Sequence, residues 1–247
     1  MQRYFVDKIN DKEQFVITDA DFFHLTKVIR ANVGQRVYCV VNGKTAIAEI
    51  SEIAEQQLLL QPIEWIAGSS ELPVHVTLVC GLPKGDKIDL IVQKCTELGA
   101  SQLIVWQAKR SVVKWDQTKA IKKIERLQKI AKEAAEQSHR VVIPEIHIVA
   151  NLDELVELTG DFSAKIVAYE EAARQEEKSQ LSNIFKKLTL GQKLVAVFGP
   201  EGGLTEVEVQ QLTAGGFTCC GLGPRILRAE TAPLFLMSAV SYQLELT

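Results

Sequence analysis

The usual marks of export, membrane insertion and metal binding are missing from this chain of 247 residues. Its five cysteines (Cys39, Cys80, Cys95, Cys219 and Cys220) form no C-x-x-C pair, and their number is odd. That pattern argues against a disulfide framework and against a zinc site, so no metal is expected. It fits a reducing cytoplasm in which each thiol packs as a small hydrophobe. No stretch approaches the roughly 18 uninterrupted apolar residues that span a bilayer. The opening MQRYFVDKIN holds no apolar run of signal-peptide length, so nothing points to export. Internal repeats and low-complexity tracts are absent too. What is present is ordinary globular composition, 47% hydrophobic and 24% charged, with chain enough for one or two domains.

A net charge of −3 is not that of a generally basic nucleic-acid binder, but the charges are unevenly placed. Residues 1–72 carry 7 Lys+Arg against 10 Asp+Glu, whereas residues 105–140 carry 10 against 4. The basic segment is either a solvated helix face or a surface for a phosphate backbone.

Patterning divides the chain in two. Over the first 65 residues, EQFVITD, QRVYCVVNG, KTAIAEISEI and QQLLLQPIEW read as short strands, with a hairpin at Asn42-Gly43. Between the first two, DADFFHLTKVIRANVG reads as one short helix, capped by an aspartate and ended near Gly34. A small β-barrel is therefore expected over residues 1–70, and AGSSELP (residues 67–73) reads as the linker. From residue 73 to 247 the strands VHVTLVCG, QLIVW, EIHIV, AKIVAYE, KLVAVF and FTCCGLG alternate with helices. GDKIDLIVQKCTELG is a helix with Asp86 at its N-cap and Gly99 at its stop. Residues 117–138 form a long amphipathic helix with Ile121, Ile124, Leu127, Ala131, Ala134 and Ala135 on one face. AETAPLFLMSAVSYQLEL closes the chain as a helix. Such alternation predicts an α/β domain with a mostly parallel sheet.

Two glycine turns stand out, FGPEGG (198–203) and GLGPRIL (221–227), each after a predicted strand. A P-loop would need G-x-x-x-x-G-K-[ST], and the lysine and hydroxyl are missing. A dinucleotide turn would need G-x-G-x-x-G on the first strand, and these turns lie in the last quarter of the chain. Thr205 and Glu208 form a T-x-x-E capping box, so a helix starts just after the first turn. Turns beyond the C-terminal ends of parallel strands face the ligand crevice, where they would offer backbone N–H and C=O groups to a flat polar ligand such as a purine. The alternative is that they are only tight connections. In RILRAETAP, Glu230 or Thr231 caps the last helix, with Pro233 in its first turn. Its arginines either face solvent or point at a phosphate or a charge developing on a substrate.

GLPKGDKIDLIVQKCTELGA, KEAAEQSHRVVIPEI, FGPEGG and LGPRILRAETA, with HLTKVIRANVGQ and VVNGKTA upstream, together resemble the RsmE-type family of small-subunit rRNA uracil-N3 methyltransferases. The resemblance runs over essentially the whole chain. It implies a SPOUT-class fold, with a PUA-like β-barrel before an α/β domain tied in a trefoil knot. It also implies a cytoplasmic homodimer that uses S-adenosyl-L-methionine to methylate N3 of one uridine in the decoding region of 16S rRNA. The glycines of the knot loops would then make room for a bent cofactor. Motif match places cofactor contacts on Tyr169, Phe198, Gly199, Glu201, Gly202, Gly203, Leu222, Gly223, Ile226 and Leu227. Gln137, Ser138 and Arg140 match an E-Q-S-x-R segment facing the substrate. Lys109 and Ala229 depart from the pattern, standing where an acidic residue and a threonine are usual.

Uracil N3 carries a proton and is a poor nucleophile until it leaves. Arg228 is therefore expected to stabilise the resulting anion, and Glu230 to position Arg228 or assist proton removal. Arg30, Lys109, Arg110, Lys114, Lys122, Lys123, Arg126, Gln137 and Arg140 are the candidate RNA contacts. Two rival readings remain open here: a methyltransferase acting on another RNA, and a non-catalytic RNA-binding assembly factor.

Overall fold

The computed structural model describes residues 1–171 and 180–246, and they cluster into two units. One holds Met1–Glu71 together with Ala135–Val142; the other holds Leu72–Ala134 and Ile143–Thr247.

The first unit is built on six strands: β1 (Arg3–Phe5), β2 (Lys8–Ile9), β3 (Phe15–Ile17), β4 (Arg36–Val41), β5 (Lys44–Ile53) and β6 (Leu58–Ile66). Their order across the sheet is β1-β4-β5-β6-β3-β2. Strands β1 and β2 are the two edges, yet only Val6 and Asp7 separate them in sequence. Two residues reach less than about 10 Å, so the sheet must curl until its edges nearly meet. That makes the barrel-like shape a consequence of chain connectivity. Alternate residues point inward, including Val37, Cys39 and Val41 on β4, Ala46, Ala48 and Ile50 on β5, and Leu58 and Leu60 on β6. The β4–β5 hairpin turns at Asn42 (φ 48) and Gly43 (φ 71), both left-handed as this turn type requires.

The single helix expected over residues 19–34 is two pieces. Helix α1 (Asp19–Phe23) gives way to a π-helical turn, His24–Val28, closed by Ile29 N–H donating to the His24 carbonyl. Thr18 holds the N-cap position, its hydroxyl turned to the Asp19 carboxylate, so the expected aspartate cap is absent. The wider turn seats Leu25 in the core and brings His24 Nδ1 to 2.9 Å from the Tyr4 hydroxyl.

The second unit is a six-stranded, all-parallel sheet in the order β12-β10-β11-β7-β8-β9. Its strands are β7 (His75–Gly81), β8 (Gln102–Trp106), β9 (Glu145–Val149), β10 (Ala164–Ala168), β11 (Lys193–Phe198) and β12 (Thr218–Cys220). Among the described residues the helices are α2 (Lys87–Glu97), α3 (Gln117–Gln137), α4 (Leu152–Leu158), α5 (Gln180–Lys187), α6 (Glu206–Ala214) and α7 (Thr231–Glu245). Alternate strand residues feed two cores. Val76, Leu78, Leu194 and Ala196 pack with Ile91 and Cys95 of α2 and Leu236 and Met237 of α7, while Val79, Val195 and Val197 pack with Leu155 of α4 and Leu212 of α6. The α3 face differs from expectation: Ala120, Leu127, Ala131, Ala134 and Ala135 are buried, but Ile121 is 56% exposed. Asp86 stands at the α2 N-cap without a side-chain hydrogen bond, and the turn is closed by Asp89 N–H donating to the Asp86 carbonyl.

Strand order positions the site. The sheet grows from β7 through β8 to β9, then the chain crosses to β10, fills the gap with β11 and ends outside with β12. Because all six strands are parallel, the segments after Gly81, Ala168, Phe198 and Cys220 leave from one edge of the sheet.

Candidate active site

At that edge lies a cavity of about 680 Å³. Tyr169 and the two acidic residues after it form one wall. Phe198, Gly199, Glu201, Gly202 and Gly203 form the second, and Leu222, Gly223, Ile226 and Leu227 the third. Every residue assigned to cofactor binding by motif thus borders one space. Arg228 borders it as well, with Lys87, Arg110 and Arg225. The side chain of Ile226 is 73% exposed, an apolar surface left without cover at the mouth.

The first glycine turn is shaped by its own protein. A Cβ on Gly81 would come within 2.6 Å of Pro200 N and Cδ, and one on Gly199 within 3.0 Å of the Gly203 carbonyl carbon. At Gly202 the obstacle is Arg110, whose Cβ would lie 3.0 Å away. At Gly203 a Cβ would meet only Arg110 Nη1, at an ordinary 3.9 Å, but its φ of +70° is one that L residues rarely adopt. Room for a ligand is therefore only part of the reason for these glycines; close packing of the turn on β7 and on Arg110 is the larger part. After the turn, Thr205 and Glu208 form the expected capping box at the start of α6. Glu208 is buried, and one of its oxygens also accepts from Lys109 N–H at 2.8 Å, which ties the post-β8 segment to the loop.

Charge is concentrated on Lys87, a residue the sequence reading passed over. Its ammonium lies 2.9 Å from Glu201 Oε1 and 3.0 Å from Glu230 Oε2. Partial burial pushes Glu201 up, but Lys87 and the backbone N–H donors outweigh it and hold the carboxyl below its usual range. Glu230 is held low by its own backbone N–H and by Lys87, with Arg228 adding to the effect. Lys87 is in turn pushed up by its hydrogen bonds to both glutamates. Glu230 occupies the N-cap position of α7 without a side-chain cap bond, and its carboxylate faces Lys87.

The RNA candidates divide by environment. Arg30, Lys109, Lys114, Lys122 and Gln137 are exposed, and Lys123 is half-buried. Arg126 pairs with Asp89. One exposed candidate has a structural role in addition, and one assignment changes. Arg110 donates to the carbonyls of Gly202 (3.1 Å) and Leu204 (3.2 Å), so it braces the glycine turn. Arg140 is only 2% exposed and pairs with Glu71, while Arg3 donates to its carbonyl at 3.3 Å. A buried, paired guanidinium is a structural group of the first unit and is unavailable to a phosphate. The linker residue Glu71 also accepts from Val141 N–H at 2.9 Å, so AGSSELP is pinned at its end.

The matching family models are an RNA methyltransferase domain over residues 70–241 and an RNA methyltransferase PUA domain over residues 17–63. Fold, cavity and match together place the chain among RNA methyltransferases of PUA-plus-α/β build. Among curated relatives, the ribosomal RNA small subunit methyltransferase E of Bacillus subtilis (strain 168) is 47% identical, covering 100% of this chain and 98% of the relative. A crystal structure described only as a hypothetical protein matches with 45% identity and a TM-score of 0.88, covering 99% of each chain. That of a ribosomal RNA small subunit methyltransferase E from Neisseria gonorrhoeae, bound to S-adenosyl methionine, matches with 26% identity and a TM-score of 0.82, covering 98% of this chain and 97% of that one. The chain belongs to the ribosomal RNA small subunit methyltransferase E family.

Proposed function

We propose that this protein methylates N3 of one uridine in the decoding region of 16S rRNA, with S-adenosyl-L-methionine bound in the cavity at the sheet edge. The observation that carries the reading is the convergence of three loops on that cavity, in a chain of this family. The residues present fit the cofactor. About 680 Å³ lies within the range of ligand pockets, roughly 300–1,000 Å³. Backbone groups of the glycine turns suit a purine and an amino-acid moiety, and the exposed Ile226 offers an apolar contact. When bound, the cofactor supplies an electrophilic methyl group on a sulfonium.

The chain's own task is then to hold the uracil ring and favour loss of its N3 proton. Arg228, at the cavity border, stabilises the negative charge spread over N3, O2 and O4. Glu230 is held ionised and low, which makes it a weak base, so we assign it to positioning. Lys114, Lys122 and Lys123, with Arg30, Lys109 and Gln137, make sequence-independent contacts to RNA. We read the protein as a cytoplasmic homodimer acting on the assembled small subunit, with its last third threaded as a trefoil knot. Exposed Phe235, Tyr242 and Leu246 of helix α7 and its C-terminal end support a second copy as partner.

The test uses purified protein, tritiated S-adenosylmethionine and small subunits from a strain lacking the methylation, with product located by nucleoside mass spectrometry. N3-methyluridine at one decoding-region position is the expected result. Cofactor binding without label in the subunit would point to another RNA, and no cofactor binding would leave a non-catalytic assembly factor. In the same assay Arg228→Ala lowers kcat about a hundredfold with RNA affinity retained.

A further inference from the structure

Only five residues separate the end of β7 from helix α2, so the helix's first residue, Lys87, arrives at the edge of the sheet where the cavity opens. Its ammonium touches a carboxylate from each of two different loops: Glu201 from the turn after β11 and Glu230 from the segment before α7. Glu201 is held a second time by Lys84 N–H, at 3.2 and 3.3 Å from its two oxygens. Glu230, at the N-cap position of α7, makes no side-chain cap bond, and its carboxylate turns to the lysine. The side chains of Lys87, Glu201 and Glu230 are 33%, 27% and 16% exposed, so water screens the group only in part. A shared cation between two anions also exceeds an isolated surface pair, because one ordered lysine serves both.

We propose that Lys87 is a positioning residue for the methyl transfer, cross-linking the two glycine-bearing loops so that the cavity is formed before any ligand arrives. This deepens the reading above and rests on it, since the cavity is taken as the cofactor site. Lys87 contacts no reacting atom in this account. Its contribution is preorganisation: loops held at their bound spacing need not be ordered at the moment of binding. Arg228 lies two residues before Glu230, so the same link sets where that guanidinium stands.

The test compares Lys87→Met and Lys87→Arg with the wild-type full chain. Calorimetry measures S-adenosylmethionine affinity from pH 4 to 8, and hydrogen exchange follows residues 201–203 and 228–232 without ligand. Lys87→Met should weaken binding roughly five- to tenfold and quicken exchange in both segments, while Lys87→Arg stays within about twofold of wild type. The pH at which affinity is lost should also rise in Lys87→Met, because the two carboxylates lose the cation that lowers them. A residue that only stabilised the fold would leave that pH unmoved. Unchanged affinity and unchanged exchange in Lys87→Met would overturn the proposal. Absence of cofactor binding by wild type would overturn the cofactor reading alone, with exchange still deciding the role of Lys87. Should Lys87→Met fail to fold, Glu230→Gln removes one arm, and exchange at residues 228–232 no faster than in wild type would overturn it.

Discussion

Gly81→Ala is the sharpest probe of how the cavity is built. Gly81 ends β7 opposite Trp106 of β8, and it is buried with no unusual φ. Alanine there therefore carries no conformational penalty, and its whole effect is steric. The added Cβ would sit 2.6 Å from both Pro200 N and Pro200 Cδ and 3.0 Å from the Gly199 carbonyl carbon, where ordinary contact begins near 3.4 Å. The turn must retreat by about 1 Å, an overpacking that costs about 1–3 kcal/mol. For a chain of this size that lowers Tm by about 2–12 °C. The same retreat displaces the Gly199–Gly203 wall, so cofactor affinity should fall by about tenfold or more. Gly191→Ala supplies the comparison. It lies just before β11, with φ +79° and open space around its Cβ, so alanine adds about 1–2 kcal/mol of backbone strain away from the cavity. Thermal melts and calorimetry on both variants separate the two effects. If Gly81→Ala melted within a degree of wild type and bound cofactor equally well, contact with β7 would not be what positions this turn.

Glu208→Ala deletes the acceptor for Thr205 and Lys109 N–H groups and should destabilise the fold by about 2–3 kcal/mol in urea titration, with m unchanged. Replacing Lys114, Lys122 and Lys123 by alanine should flatten the slope of log affinity for rRNA against log salt by about one per residue, leaving cofactor affinity as it was. Of the five cysteines, Cys219 alone should react with a thiol reagent in the native protein, since Cys39, Cys80, Cys95 and Cys220 are buried, and burial pushes Cys39 and Cys80 up to about 12 and Cys95 well above its ordinary value. Glu201 and Glu230 sit below the usual 4.5, so their ionised forms stabilise the fold above that pH, and the stabilisation is lost as pH falls through their lowered values. The Tm gap between wild type and Glu201→Gln/Glu230→Gln should accordingly narrow as pH falls below about 4.5, and a gap that did not narrow on acidification would contradict the pairing.

Local chemistry was legible wherever one residue type forces one geometry. Asn42-Gly43 turned as expected because both positions need positive φ, and Thr205-x-x-Glu208 capped α6 because the reciprocal bonds close within four residues. The alternating core strands were legible for the same reason. The π-helical turn at His24–Val28 was not, since its cause is Leu25 and His24 reaching tertiary partners, and the register change leaves no mark in helical spacing. Strands β1 and β2 escaped too: three and two residues long, they exist only because the curled sheet supplies partners. Ile121 fitted the helix stripe by spacing, yet the buried face of α3 runs through Ala120 instead.

Within the site the division is similar but sharper. Residues that meet the cavity through backbone could be named from their turns, because a glycine-rich loop after a parallel strand declares its own position. Charged residues could not be sorted by type. Arg110, Arg140 and Arg228 look alike in sequence, but Arg110 braces carbonyls of the glycine turn, Arg140 is buried on Glu71, and Arg228 stands at the cavity border beside the Lys87–Glu230 pair. Lys87 reads as an ordinary first-turn lysine until two glutamates, more than a hundred residues downstream, are folded onto it. A guanidinium or ammonium acquires its role from the carboxylates and carbonyls that long-range folding brings to it. The cavity walls are thus written locally, and the charges that set their spacing are written only in the tertiary fold.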